Sequence, residues 1–160
     1  MGCCVNNGIK MNNVNLNSSV ADPFDLQRFI KAQQDYYSTA LAEITQGKKQ
    51  SHWIWFIFPQ FIGLGHSPTA SRYAIKSLAE ARAYLEHPVL GPRLIQCAQA
   101  MLGLKGKSVR DILGCPDDLK LRSSATLFAQ ISEPDSVFHQ ILDKYYRNQA
   151  DAITLQLIQD

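Results

Sequence analysis

Ser51-His52-Trp53-Ile54-Trp55-Phe56-Ile57-Phe58-Pro59-Gln60 is the stretch on which the reading of this chain turns. It holds both tryptophans and two of the seven phenylalanines. The apolar run from Trp53 to Phe58 ends at Pro59 and is far too short to span a bilayer. Periodicity alone does not separate a short buried helix from a buried strand here. The run is read as helix, because no partner strand is evident elsewhere. It leads into Phe61-Ile62-Gly63-Leu64-Gly65-His66-Ser67, a turn-rich loop. Aromatic surface beside flexible backbone and polar tips is one way in which a ligand pocket is built. It is equally the way in which an ordinary core element leaves for a loop.

Outward from this tract the pattern is helical. Leu26, Phe29, Ile30, Gln33, Tyr37, Ala40, Leu41 and Ile44 share one face at helical spacing, with Asp25 as the expected cap and Gly47 as the expected stop. Ser77 and Glu80 fit a capping box for a helix ending near Glu86. Pro88 suits the first position of the next helix. That helix places Leu90, Leu94, Cys97, Ala98 and Met101 on one side, and Gly103 ends it. Ser108 and Asp111 repeat the capping logic, and Gly114 closes a brief helix. Pro116 starts another, whose small Ser123, Ser124 and Ala125 predict close helix approach. Val137, Phe138, Ile141, Leu142, Tyr145 and Tyr146 make an amphipathic face, followed by a short helix over 151–158.

The spacing therefore predicts an all-α fold, a compact single-domain bundle of about six to seven short helices over residues 22–160. Residues 1–21 carry Asn6, Asn7, Asn12, Asn13, Asn15 and Asn17 without apolar periodicity, and are expected to be a disordered or loosely attached leader. Met1-Gly2-Cys3-Cys4 has the look of an acylation signal, but position 6 is Asn6 where the pattern needs Ser or Thr. No secretory h-region is evident.

Totals exclude several classes. Of 160 residues, 46% are hydrophobic and 19% charged, as in an ordinary globular protein, and the net charge of +2 is too small to argue for nucleic acid. The four cysteines, Cys3, Cys4, Cys97 and Cys115, form neither a disulfide framework nor a zinc spacing. No metal, cofactor, nucleic-acid or membrane partner is expected, and a cytoplasmic location is. The oligomeric state is left open.

Several segments together resemble a known family. They are Asp25-Leu26-Gln27-Arg28-Phe29, the tract His52 to Gln60, Gly63-Leu64-Gly65 with Ser67, Tyr73-Ala74-Ile75, Glu80 to Leu85, His87-Pro88-Val89-Leu90-Gly91 and Asp117 to Leu121. The pattern resembles the DUF1810 family, also called the Rv1873-like superfamily, over roughly residues 24–158. The resemblance implies a compact, mostly helical domain and no established activity. The label calpastatin, sometimes attached to members, is rejected on physical grounds. Such inhibitors are disordered until bound, whereas this composition and these capped helices predict a chain that folds alone. A fainter similarity links His87 to Leu94 with the helix start of NADAR-type proteins, a group tied to ADP-ribose and N-glycoside chemistry.

Candidate chemistry follows from the loop after the tract. Gln60, Ser67, Arg72 and Tyr73, with Gly63 and Gly65 permitting close backbone approach, suit a ribose or phosphate. Neither a dinucleotide fingerprint nor a P-loop is present. The plain alternative is a structured connector. Trp53 and Trp55, two residues apart, diverge on a helix, so one belongs to the core and the other lines a cleft. His52 has the titration range of an acid or base, or serves a structural role. Asp117 and Asp118 at a helix start are stabilised by the macrodipole. In a functional reading one of them activates water for glycoside cleavage.

Two functions are carried forward. In the first, the domain binds a nucleotide- or ADP-ribose-like small molecule and extends to its hydrolysis. Its catalytic candidates are His52, Asp117 and Asp118, and its ligand-binding candidates are Trp53, Trp55, Gln60, Gly63, Gly65, Ser67, Arg72 and Tyr73. In the second, the domain is a non-catalytic module for protein interaction or homo-oligomerisation.

Overall fold

The computed structural model describes residues 21–160. Most of the leader expected over residues 1–21, with its Met1-Gly2-Cys3-Cys4 start, lies outside the described residues. Among them nine helices follow in order: α1 (Gln27–Gln46), α2 (Ile54–Ile57), α3 (Pro68–Tyr73), α4 (Leu78–Glu86), α5 (Leu90–Leu102), α6 (Val109–Leu113), α7 (Asp117–Ala129), α8 (Val137–Tyr146) and α9 (Ala152–Gln159). The all-α expectation holds, but the count exceeds the six or seven expected. One reason is α3, which occupies a segment read as loop. It is a short helix with Ser67 as its cap and Pro68 in its first turn.

The caps show where local reading succeeds. Gly47 ends α1 at φ 78°, a left-handed conformation that glycine adopts without steric cost. Ser108 and Asp111 form the reciprocal capping box at α6. At α1 the expected cap is corrected. Asp22, not Asp25, accepts the Leu26 and Gln27 amides at 2.8 and 3.0 Å, while Asp25 itself takes a left-handed turn at φ 51°. At α4 the Ser77 hydroxyl accepts the Glu80 amide at 3.0 Å. The Glu80 carboxylate does not return to Ser77. It accepts the Lys76 amide and pairs with Arg28 at 2.6 Å. Helix α5 starts at Leu90 rather than Pro88, and His87 Nδ1 accepts the Val89 and Leu90 amides. That cap accounts for the His87 segment in structural terms.

Helix α1 packs on α5, α7 on α8, and α5 on both α4 and α8. Phe29, Ile44, Trp53, Tyr84, Leu90, Met101, Leu121 and Phe128 are wholly buried between them. The closest approach is at Gly91, where a Cβ would stand 2.0 Å from the Leu85 carbonyl oxygen. The small residues of α7 behave as expected: Ser123, Ser124 and Ala125 are buried where the helix meets its neighbours.

The aromatic tract sits in the middle of this arrangement, with α2 touching α1, α3, α5 and α7. After its single turn the chain extends at Phe58 (φ −121°, ψ 74°) and makes an isolated parallel bridge, Phe61 with Ile75. The Ile75 amide donates to the Gln60 carbonyl at 2.8 Å, and the Ile62 amide donates to the Ile75 carbonyl at 2.9 Å. This pairing closes the 61–75 loop at its base. Arg28 reinforces the C-terminal limb of the loop beside this pairing by donating to the carbonyls of Arg72 and Ala74. Among the described residues no helix is long and apolar enough to cross a membrane.

Candidate functional site

The two tryptophans diverge as their spacing requires, and the structure says which is which. Trp53 is wholly enclosed, so it offers no face to a ligand, and its place among the ligand-binding candidates is corrected. Its indole Nε1–H donates to Glu43 at 3.2 Å. The same carboxylate accepts the amides of Gln50 at 2.7 Å and Ser51 at 2.5 Å. Burial pushes the Glu43 carboxyl up, but these donors outweigh it, so the group titrates below the usual carboxylate range. Ile54, Phe56, Ile57 and Phe58 are buried as well. The Phe56 carbonyl accepts from Gln33 Nε2 at 2.7 Å and from the Tyr84 hydroxyl at 3.3 Å. Trp55 alone of the apolar tract is half-buried, and His52 beside the tract is exposed.

Asp117 is brought to the tract by the start of α7. Its carboxylate lies 2.8 Å from Lys49 Nζ and 3.1 Å from Lys120 Nζ. Lys49 stands 5.2 Å from the Trp53 ring centroid, and Lys120 stands 3.9 Å from that of Trp55. A cation held over an indole face gains about 0.5–2 kcal/mol, more as water is excluded. The order is therefore Trp53, Lys49, Asp117, Lys120, Trp55, two ammonium groups joined by one carboxylate. Neighbouring Asp118 has a buried Oδ1 with no hydrogen-bond partner among the described residues. Its backbone carbonyl accepts from the Tyr146 hydroxyl, whose pKa is raised by burial and further by the Asp118 charge. Arg122, one turn further along α7, spends its guanidinium on the Gln149 and Ala150 carbonyls.

A small cleft opens between Trp55 and the 61–74 segment. Trp55, Gln60, Gly63, Gly65 and Tyr73 all line it, so five of the eight ligand-binding candidates come together. Ser71 joins them. Its cavity volume is only about 20 Å³, the room of a single water. Gln60 is 7% exposed, and its Nε2 is buried without a partner among the described residues. The glycines serve the protein's own packing. A Cβ at Gly63 (φ 103°) would meet Leu157 at 3.1 Å, and one at Gly65 would meet Ala70 at 2.7 Å and Trp55 at 3.3 Å. Ser67 is exposed and caps α3 through its hydroxyl. Arg72 is exposed, with its guanidinium 5.7 Å from the Tyr73 centroid. Neither residue lines the cleft.

Sequence reasoning passed over Glu43 and Lys49. Glu43 sits three residues after Ala40 and beside Ile44, on the buried face of α1, and an acid in that register is a readable signal. Lys49 follows Lys48 just past the α1 stop, where a solvated pair is the plain local reading, and nothing local marks its partner, Asp117, as near. Among the described residues no group of three or more His, Cys, Asp or Glu side chains is placed to hold a metal ion.

Comparison with known proteins agrees with this fold. A solved structure, that of the conserved hypothetical protein Rv1873 from Mycobacterium tuberculosis, is 48% identical, with a TM-score of 0.85. The match covers 87% of this chain and 99% of that one. No curated protein matches. The family model described as a protein of unknown function, DUF1810, matches residues 23–158. The chain belongs to the DUF1810 family.

Proposed function

We propose that this protein binds a small nucleotide- or ADP-ribose-like molecule at the mouth of the Trp55–Gln60–Tyr73 cleft. One observation carries the reading: Trp55 is the one half-buried ring of the tract, and it lines a cleft together with Gln60, Ser71 and Tyr73, with Lys120 Nζ 3.9 Å from its ring centroid. The cavity admits one atom or small group, so the bulk of the ligand lies outside it, against Trp55. Lys120, over the Trp55 ring, supplies a cation at that rim.

The same geometry supports binding more than hydrolysis. A general base must have a free oxygen within reach of the attacking water. Both Asp117 oxygens are taken by lysines, and His52 is exposed. Asp118 keeps one oxygen unengaged, but that atom is buried.

Thermal-shift titration with nucleotides and ADP-ribose derivatives tests the proposal. A ligand at one hundred times its Kd stabilises by about 2.7 kcal/mol, a rise of at least roughly 5 °C for a domain of this size. No shift at millimolar concentration overturns the reading. A second reading, an interaction or self-association module, draws on Leu119 and Ile153. They are 55% and 59% exposed, on packed neighbours α7 and α9. A monomer by analytical ultracentrifugation at all accessible concentrations counts against its self-association form.

A further inference from the structure

Apart from the cleft, the described residues form a larger groove where the chain enters α1 and α4 gives way to α5. It holds about 330 Å³, against about 20 Å³ for the cleft, and none of its lining residues is shared with the cleft. We propose that this groove is a second ligand site, for a small uncharged molecule with an apolar body and a carbonyl oxygen that His87 receives.

Three features lead to this class. The first is size. Pockets for small molecules run from roughly 300 Å³ upward, and the groove reaches that range. The second is the fixed polarity of His87, a half-buried residue on the groove wall. Its Nδ1 accepts the Val89 and Leu90 amides at 3.0 and 3.3 Å. A ring nitrogen that accepts two N–H groups carries no proton, so in the neutral imidazole the proton sits on Nε2. Main-chain bonds thus set the tautomer, and the ring offers a bound molecule a donor. The third is the rest of the lining. Phe24, Leu26, Ile30 and Ala83 supply apolar surface for the body of the ligand. The charged group on the wall is Asp22, whose carboxylate accepts the Leu26 and Gln27 amides. Its negative charge, with exposed Glu86 next to His87 in the chain, disfavours a carboxylate ligand and leaves a neutral carbonyl as the fitting acceptor.

Acetophenone, ethylbenzene and benzoate test the inference, since they share a ring and differ in carrying a neutral carbonyl, no acceptor or a charged one. In NMR titrations of the full chain, acetophenone should bind about tenfold tighter than either relative, the scale of one hydrogen bond gained. It should also shift the amide signals of Phe24, Ile30 and Ala83. Two substitutions separate the roles of the ring. His87→Asn keeps an acceptor where Nδ1 stood and removes the Nε2 donor. It should abolish the preference with little change in the unfolding midpoint. His87→Gln keeps a donor near the Nε2 position and loses the cap. It should retain the preference at a lowered midpoint. Ethylbenzene or benzoate binding as tightly as acetophenone overturns the inference, as does a preference that survives in His87→Asn. Absence of saturable acetophenone binding at millimolar concentration overturns it too, and is the result if residues 1–20 or a second copy of the chain fill the groove. Each of these outcomes leaves the reading of the Trp55 cleft standing.

Discussion

Truncating Glu43 to alanine should destabilise the fold by about 2–4 kcal/mol, although Glu43 lies outside the proposed site. Its carboxylate accepts three N–H groups, those of Gln50, Ser51 and the Trp53 indole. Their surroundings differ. Gln50 is exposed and Ser51 half-buried, so water replaces much of what their amides lose. Trp53 is wholly enclosed, and its N–H would be stranded. One stranded buried donor costs about 1–3 kcal/mol, and two charge-assisted bonds exchanged for water add about 1 kcal/mol together. Urea unfolding followed by circular dichroism gives the number. The decisive measurement is a double-mutant cycle with Trp53→Phe, which removes the donor and keeps an aromatic ring. In that background Glu43→Ala should cost about 1–2 kcal/mol less. An Ala variant within 0.5 kcal/mol of wild type, or an equal cost in both backgrounds, would refute the account. The same carboxyl sets an acid dependence. Its folded pKa is held below the unfolded value, so its contribution is complete above the unfolded pKa, about 4.3, and fades as pH falls through the folded one. Wild-type stability should therefore drop across that acid window more steeply than that of Glu43→Gln, read from urea midpoints between pH 6 and pH 2.

Three further outcomes follow from the packing. Gly91→Ala should cost at least about 2 kcal/mol by thermal or urea unfolding, because its Cβ would overlap the Leu85 carbonyl and only backbone movement relieves it. Arg28→Ala should cost about 3–5 kcal/mol in the same assay, since it leaves the buried Glu80 carboxylate without its cation and frees the Arg72 and Ala74 carbonyls. Burial pushes the Cys97 thiol up to about 12, with Arg93 opposing, so iodoacetamide at pH 8 should label exposed Cys115 and spare Cys97 until denaturant is added, as read by peptide mass mapping.

The legible parts of this fold are those decided within one turn or one face of a helix. The stripe from Leu26 to Ile44, the Gly47 stop and the Ser108–Asp111 box each need only neighbours in the chain, and each is found where expected. Helix α3 carried a start signal in Ser67-Pro68, but six residues have no periodicity to read. At α1 two acids precede the helix at cap-like spacing. The choice of Asp22 follows from the left-handed turn at Asp25, a backbone event that residue type alone does not announce. The partnership of Asp117 with Lys49 and Lys120 is half local and half not. Lys120 is one turn along the same helix, whereas Lys49 arrives from the far end of α1.

The tract itself shows why the site was only partly readable. On a helix, residues two apart point about 200° from one another, so one tryptophan had to face away from the other. That much is geometry. Which of the two turns inward depends on where an acceptor for a buried indole N–H can be found, and Glu43, ten residues upstream, supplies it to Trp53. Once Trp53 is satisfied there, Trp55 is left at the boundary. The cation of Lys120 covers its ring, and the glycine loop closes against its edge. Five of the six apolar side chains from Trp53 to Phe58 thus serve the core, and their chemistry ends there. What remains at the surface of the tract is the one ring that the core did not take, Trp55, beside the cleft that Gln60 and Tyr73 also line.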